Sequence, residues 1–208
     1  MTFALNISRS IAGQPWRWRG GAADGRDSAY LPDDLVTQLL MARGCARDAV
    51  EAHRHPTIRA FMPDPSLFRD MDAAAERLAD AVQRKEQVRI FGDYDVDGAT
   101  SAALLIRLLR DLGLDAKPYI PDRLMEGYGP SGEALVRLAG EGATLIVTVD
   151  CGAQAFEALG MAKAVGVDVV VVDHHKCATE LPEGFALVNP NRLDGHPDAA
   201  RHGHLAAV

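Results

Sequence analysis

Val88-Arg-Ile-Phe-Gly-Asp93-Tyr-Asp95-Val-Asp97-Gly98-Ala-Thr-Ser101 is the stretch that decides how the chain is read. Its first four residues have the β-branched and aromatic character of a strand. Three carboxylates then follow at every second position, Asp93, Asp95 and Asp97, before Gly98 breaks the pattern. The residues from Ala99 to Leu112 have the spacing of a helix. In extended chain, positions two apart point the same way and lie roughly 6.5 Å apart. The three acids therefore crowd like charge at a strand end, which costs free energy unless a proton or a cation offsets it. A divalent metal answers that repulsion.

Other readings of the stretch explain less. Asp-Gly marks many hairpins, but the residues after Gly98 are patterned as a helix and no strand returns. Asp-x-Asp-x-Asp-Gly also opens an EF-hand loop. Counted from Asp93, that loop needs a bidentate acid at its twelfth position, where this sequence has Leu104, and the segment leading in is a strand rather than a helix. Asp97 also suits a helix N-cap, which leaves Asp93 and Asp95 without a role.

Outward from this stretch, strands and helices alternate. Strands are expected at 88–91, 117–120, 144–149, 167–172 and 185–188, and helices at 99–112, 132–139 and 153–165. Runs such as Leu145-Ile-Val147 and Val169-Val-Val-Val172 are what strands buried on both faces look like. The expected fold is α/β, a parallel β-sheet covered by helices on both faces. A small helical N-terminal segment precedes it, with helical patterning over 31–60 and 71–85 and an extended arm over 1–29. The domain reading is an N-terminal arm and helical appendage at 1–85 and a sheet domain at 86–208. In the arm, Trp16-Arg-Trp-Arg19 could stack bases and neutralise phosphates, or a tryptophan could simply anchor the arm.

The acid at a strand end recurs at Asp150 and at Asp173, the latter followed by His174-His175-Lys176. Ligands of open parallel sheets bind outside the carboxyl ends of the strands. Neighbouring strands lie about 4.8 Å apart, so adjacent strand ends can share an ion. Consecutive histidines in extended chain point opposite ways, so one is read as a ligand and the other as facing substrate. Oxygen donors with one imidazole favour Mn²⁺ or Mg²⁺ over structural Zn²⁺. Cys151 beside Asp150 is read as small-residue packing rather than a soft ligand.

The chain has 208 residues, 48% hydrophobic, with net charge −7. That charge argues against coating nucleic acid by bulk attraction, though not against a local cationic groove. Three cysteines without Cys-x-x-Cys spacing point to a reducing compartment. With no signal peptide and no apolar run of transmembrane length, the expected location is cytoplasmic and off the membrane.

Asp-Tyr-Asp-Val-Asp-Gly at 93–98, Val-Asp-Cys-Gly at 149–152 and Asp-His-His at 173–175 together resemble the DHH phosphoesterase superfamily. Ile-Phe-Gly-Asp-Tyr at 90–94, Pro-Asp-Arg-x-x-Glu-Gly-Tyr-Gly at 121–129 and Asn-Pro-Asn-Arg at 189–192 are similar to its RecJ-type branch of single-strand-specific exonucleases. The resemblance runs from about Leu31 onward. It implies a two-metal enzyme that removes nucleotides from the 5′ end of single-stranded DNA in repair and recombination, with unnamed repair or replication partners. Carried over by position, Asp95, Asp97, Asp150 and His174 would be metal ligands. Asp93 and Asp173 would complete or orient the site, and His175 would contact the scissile phosphate. Arg123, Lys176 and Arg192, with the helix start at Gly98 and Thr100, would meet phosphates. The family's fourth motif does not occur before Val208, so the sequence reads as the N-terminal part of the catalytic unit. Two competing functions are hydrolysis of small phosphate substrates (short oligonucleotides, cyclic dinucleotides, pyrophosphate) and non-catalytic binding of DNA or a partner.

Overall fold

The computed structural model describes residues 7–17 and 35–207. The chain divides into two compact units, Met1–Met62 and Pro63–Val208. In the first, the helical stretch expected over 31–60 is broken into α1 (Leu35–Ala42), a 3₁₀ turn at Arg47–Ala49, α2 (Val50–Arg54) and α3 (Ile58–Phe61). The Thr57 hydroxyl caps α3 by accepting from the Ala60 N–H at 3.2 Å. Trp16 is half exposed and its backbone N–H donates to the Ile7 carbonyl. Trp18 and Arg19 of the aromatic and cationic run lie outside the described residues. Among the described residues, no helix is long and apolar enough to cross a membrane.

The second unit is built on five parallel strands: β1 (Val88–Gly92), β2 (Lys117–Tyr119), β3 (Leu145–Val149), β4 (Asp168–Val172) and β5 (Ala186–Val188). Their order across the sheet is β2-β1-β3-β4-β5. Helices α4 (Met71–Arg84), α5 (Val96–Asp111), α6 (Gly132–Gly140) and α7 (Phe156–Ala164) complete the unit. The sheet alternates its side chains between two cores, because successive residues of a strand face opposite ways. Ile90, Val147, Val170 and Val188 pack with α4 and α5 on one face. Phe91, Ile146, Val171 and Leu187 pack with α6 and α7 on the other. Each such residue contributes about 1.5–3 kcal/mol by leaving water, which is why these strands contain so few polar residues. The doubly covered parallel sheet read from the sequence is what the chain forms.

Two boundaries differ from the sequence reading. α4 is part of the sheet unit, since Ala74 and Ala81 are buried in the same core as β1 and β5. The division after residue 85 thus falls inside a compact unit. Helix α5 begins at Val96 rather than Ala99, with Asp95 as its N-cap. The Asp95 carboxylate accepts from the Gly98 N–H at 3.0 Å, a stronger start signal than the Gly98 break suggested.

One ion-pair cluster ties the lower end of the sheet together. Arg77, 9% exposed, donates from Nε to Asp168 at 2.7 Å and from Nη2 to Glu86 at 2.7 Å. Glu86 also accepts from the Thr144 hydroxyl at 2.8 Å. The Arg77 hydrogen bond holds the Glu86 carboxyl below its usual value of 4.5 against the opposing effect of burial. A carboxyl lowered in the folded state contributes stability above 4.5 that is lost as pH falls through the folded-state value. Glu86→Gln is expected to cost about 1.5–3 kcal/mol at pH 7, the range for hydrogen bonds to charged groups. Urea unfolding at pH 7 and pH 3 checks this, and the deficit should shrink at the lower pH.

Candidate metal centre at the strand ends

Register brings the acids together. Gly92 pairs with Val149, Val149 with Val172, and Val172 with Val188. The next residue on each strand, Asp93, Asp150, Asp173 and Asn189, therefore falls in one row across the carboxyl edge. The ladder continues into that row: Asp93 N–H donates to Val149 O, Asp150 N–H to Val172 O and Asp173 N–H to Val188 O. Strand order reverses direction between β1 and β3, the position where open parallel sheets form their crevice. Asp93 and Asp150 flank that point.

Gly98 closes the first loop. A Cβ there would lie 2.5 Å from the Asp93 carbonyl oxygen and 2.6 Å from its nitrogen. The turn from β1 into α5 can pass this close to Asp93 only without a side chain. Gly98→Ala is accordingly expected to force the loop apart, with a cost of about 1–3 kcal/mol as for other overpacked sites. Thermal unfolding and Mn²⁺ titration should fall together in that variant.

Two overlapping groups of donors result, Asp93, Asp95 and Asp150, and Asp150, His174 and His175, each with ligand atoms within 4.8 Å of one another. Asp150 belongs to both. Its backbone is left-handed, with φ 63°, an unusual conformation for a residue other than glycine. Buried oxygens Oδ1 of Asp93 and Oδ1 of Asp150 have no hydrogen-bond partner. His174 Nε2 comes within 3.1 Å of Asp150 Oδ1 without the angle of a hydrogen bond. Orphaned buried carboxylate oxygens converging with imidazole nitrogens fit a hard divalent cation such as Mn²⁺ or Mg²⁺.

The protons report the same crowding. Burial first, then the hydrogen bond and charge of Asp95, push the Asp150 carboxyl up to about 7. Asp95 moves the other way, lowered first by the Gly98 N–H and further by Asp150. The two carboxyls are thus driven apart, Asp150 toward its protonated form and Asp95 toward its ionised one. Burial also raises Asp93, against the Tyr94 N–H. For His175, burial is outweighed by the hydrogen bond to and charge of Asp173, and its pKa rises.

The histidines do not lie as the sequence implied. β4 ends at Val172, and Asp173 Oδ1 accepts from the N–H groups of both His174 (2.7 Å) and His175 (3.1 Å), turning the chain. Both imidazoles therefore fall on one side, centroids 4.6 Å apart, and both reach Asp150. Asp173 Oδ1 also holds His175 Nδ1 at 2.8 Å, and its Oδ2 accepts from Ala153 N–H. Asp173 orients the site and stands outside both donor groups.

Other expected residues separate. Asp97 joins neither group: because α5 starts at Val96, the two-residue period ends there and Asp97 lies half-buried in the first helical turn. The Gly98 N–H is engaged by Asp95 and the Thr100 hydroxyl donates to Val96 O at 2.6 Å, so neither is free for an anion. Arg192 is buried, bound to Asp70, Asp194 and the Leu187 carbonyl, and is unavailable to a phosphate. Lys176 is exposed on the rim. Arg123 is exposed with its guanidinium 4.9 Å from the Tyr94 ring centroid, and its charge reaches Asp93.

Sequence reasoning assigned no role to Tyr128, Asn189 or Asn191. The Tyr128 hydroxyl lies 3.3 Å from either nitrogen of His175 and donates to Asp150 O at 3.4 Å. Its place in Glu-Gly-Tyr-Gly was the available signal. Asn189 and Asn191 were visible only as part of Asn-Pro-Asn-Arg.

An ion held by Asp150 needs that carboxyl ionised, so Mn²⁺ affinity is expected to rise about tenfold per pH unit below 7 and to level off above. In the metal-free protein the raised carboxyl gives stability that is present below its ordinary value of 3.8 and lost as pH rises through about 7. Asp150→Asn should therefore melt above wild type at pH 8 and approach it at low pH. Calorimetric titration and thermal melts across pH 5–8 check both outcomes.

Comparison with known proteins gives matches in sequence and in structure. A sequence profile described as the DHH family, N-terminal domain, matches residues 87–201. The single-stranded-DNA-specific exonuclease RecJ of Bacillus subtilis (strain 168) is 40% identical over 161 residues, covering 76% of this chain and 20% of that protein. The RecJ of Salmonella typhimurium is 38% identical over 172 residues, covering 81% of this chain and 29% of that protein. A crystal structure of RecJ in complex with Mn²⁺ from Thermus thermophilus superposes with TM-score 0.53 at 30% identity, over 78% of this chain and 24% of that one. A crystal structure of exonuclease RecJ bound to manganese gives TM-score 0.54 at 39% identity, over 59% and 31%. The chain spans between a fifth and a third of the length of these relatives.

Proposed function

The chain belongs to the DHH family, and from that premise we propose that it carries the metal-binding part of an exonuclease that hydrolyses single-stranded DNA from the 5′ end, in repair and recombination. The observation that supports this reading is the pair of donor groups sharing Asp150. Asp93, Asp95 and Asp150 would hold one ion, and Asp150 with His174 a second. Such ions, when bound, stabilise charge on phosphoryl oxygens and lower the pKa of attacking water.

The protein's own groups prepare the rest. Asp173 Oδ1 accepts from His175 Nδ1–H, which leaves Nε2 to face a phosphate at the half-exposed mouth. Its raised pKa favours a protonated ring, able to donate to a non-bridging or leaving oxygen. The Tyr128 hydroxyl, 3.3 Å from either ring nitrogen, steadies that ring. Exposed Arg123, whose charge reaches Asp93, and exposed Lys176, next in sequence to His175, are the cations a strand's phosphates would meet. With a net charge of −7 the grip is local, and affinity for an oligonucleotide is expected near the non-specific range of about 10⁻⁵ M.

Digestion of 5′-labelled single-stranded oligonucleotides in Mn²⁺, beside duplex and pyrophosphate, tests the reading. Release from single strands alone is the expected result, abolished in Asp150→Asn. His175→Ala should retain Mn²⁺ and lose turnover by about a hundredfold, the range for a positioned proton donor. Equal hydrolysis of pyrophosphate would replace DNA as the substrate. Loss of Mn²⁺ in His175→Ala would make that residue a ligand instead.

A further inference from the structure

The His174-His175 dipeptide is held at every polar backbone atom by the side chains of Asp173, Asn189 and Asn191. Both N–H groups donate to Asp173 Oδ1, at 2.7 and 3.1 Å. The His175 carbonyl accepts from Asn189 Nδ2 at 2.9 Å, and the His174 carbonyl accepts from Asn191 Nδ2. The two asparagines are themselves coupled, because Asn189 Oδ1 accepts from the Asn191 N–H at 2.7 Å. Asn189 is 2% exposed, among the largest fully buried side chains of an otherwise apolar set. A second Asn191 Nδ2 proton goes to the Gly203 carbonyl at 3.0 Å.

We propose that Asn189 and Asn191 are positioning residues that fix the direction of the two histidine peptides and thereby aim both imidazoles at Asp150. Beyond β4 these two histidines belong to no helix or strand. Without strand or helix hydrogen bonds, two successive peptide planes are free to rotate, and each rotation swings a ring by several ångströms. A primary amide is suited to restraining them, since it donates to a carbonyl and accepts an N–H at once. Asn189 does both. The peptide joining the two histidines is held on both sides, its C=O by Asn191 and its N–H by Asp173, while Asp173 and Asn189 each hold one side of the peptides that flank it.

Gly203 belongs to the same device. A Cβ on Gly203 would fall 2.2 Å from Asn191 Oδ1, so a side chain there would displace the amide from the His174 carbonyl. The segment around Ala199–His202 thus reaches the donor group through a single amide, although none of its residues lies in that group.

This inference rests on the proposed ligand role of the histidines, and the test separates the two. In the metal-free protein, long-range ¹H–¹⁵N spectra of the imidazoles report ring environment and tautomer directly. Asn189→Ala and Gly203→Ala are the variants, the second leaving both asparagines in place should the buried substitution fail to fold. The expected result is shifted or exchange-broadened His174 and His175 ring signals, with those of His53 and His55 unchanged. Calorimetric Mn²⁺ affinity should also fall about 10–100-fold, the range for groups that orient metal ligands. Unmoved His174 and His175 ring signals in folded Gly203→Ala would overturn the positioning role. Moved ring signals with Mn²⁺ affinity unchanged would keep the clamp and discard His174 as a ligand.

Discussion

Carboxylates held a few ångströms apart in a buried setting cannot all be ionised, and the second unit of this chain is arranged around that constraint. The parallel register sets Asp93 and Asp150 side by side at the crevice, and the Gly98 turn adds Asp95 from the start of α5. The buried Oδ1 atoms of Asp93 and Asp150 lack hydrogen bonds, and burial together with neighbouring Asp95 pushes the Asp150 carboxyl up to about 7. A purely structural carboxylate would be satisfied by N–H donors, as Asp173 is on both oxygens. The contrast within a single row of acids separates those with unbonded buried oxygens from the one that organises the loop.

The sheet supplies the stiffness that makes such crowding sustainable. Its strands are buried on both faces, and each contributes side chains alternately to two cores. Sliding one strand by a residue would exchange the two cores' side chains and move the terminal acid out of its row. Packing and site geometry are therefore specified by the same register. The left-handed backbone at Asp150 is consistent with this: a conformation of that kind persists where its surroundings over-determine it.

The fold was legible because buried parallel strands spell themselves as continuous apolar runs, and Leu145-Ile-Val147 and Val169–Val172 admit little else. The acids were legible because they end those runs. What could not be read was direction. Asp97 looks equivalent to Asp93 and Asp95 only while the period is two, and the cap at Asp95 changes the period to that of a helix. The histidines look opposed only if the strand continues, and Asp173 ends it. Arg192 has the composition of a surface cation, yet its partners Asp70 and Asp194 are set by tertiary closure, which local sequence does not record. Asn189 and Asn191 escaped for the same reason.

The burial of Arg192 bears on how this sheet meets other chains. β5 is an edge strand, and Leu187 sits at its middle. The Leu187 N–H donates to Asp70 Oδ2, and its carbonyl accepts from Arg192 Nη1. Asp70 and Arg192 are bonded to each other, so the ion pair occupies the donor and acceptor that a sixth strand would use. At the opposite edge, β2 carries Pro118, which has no N–H to offer, next to exposed Lys117. Both margins of a strongly apolar sheet are thus closed to edge-to-edge pairing. Two charged side chains and a proline blunt the borders of a sheet rich in valine runs.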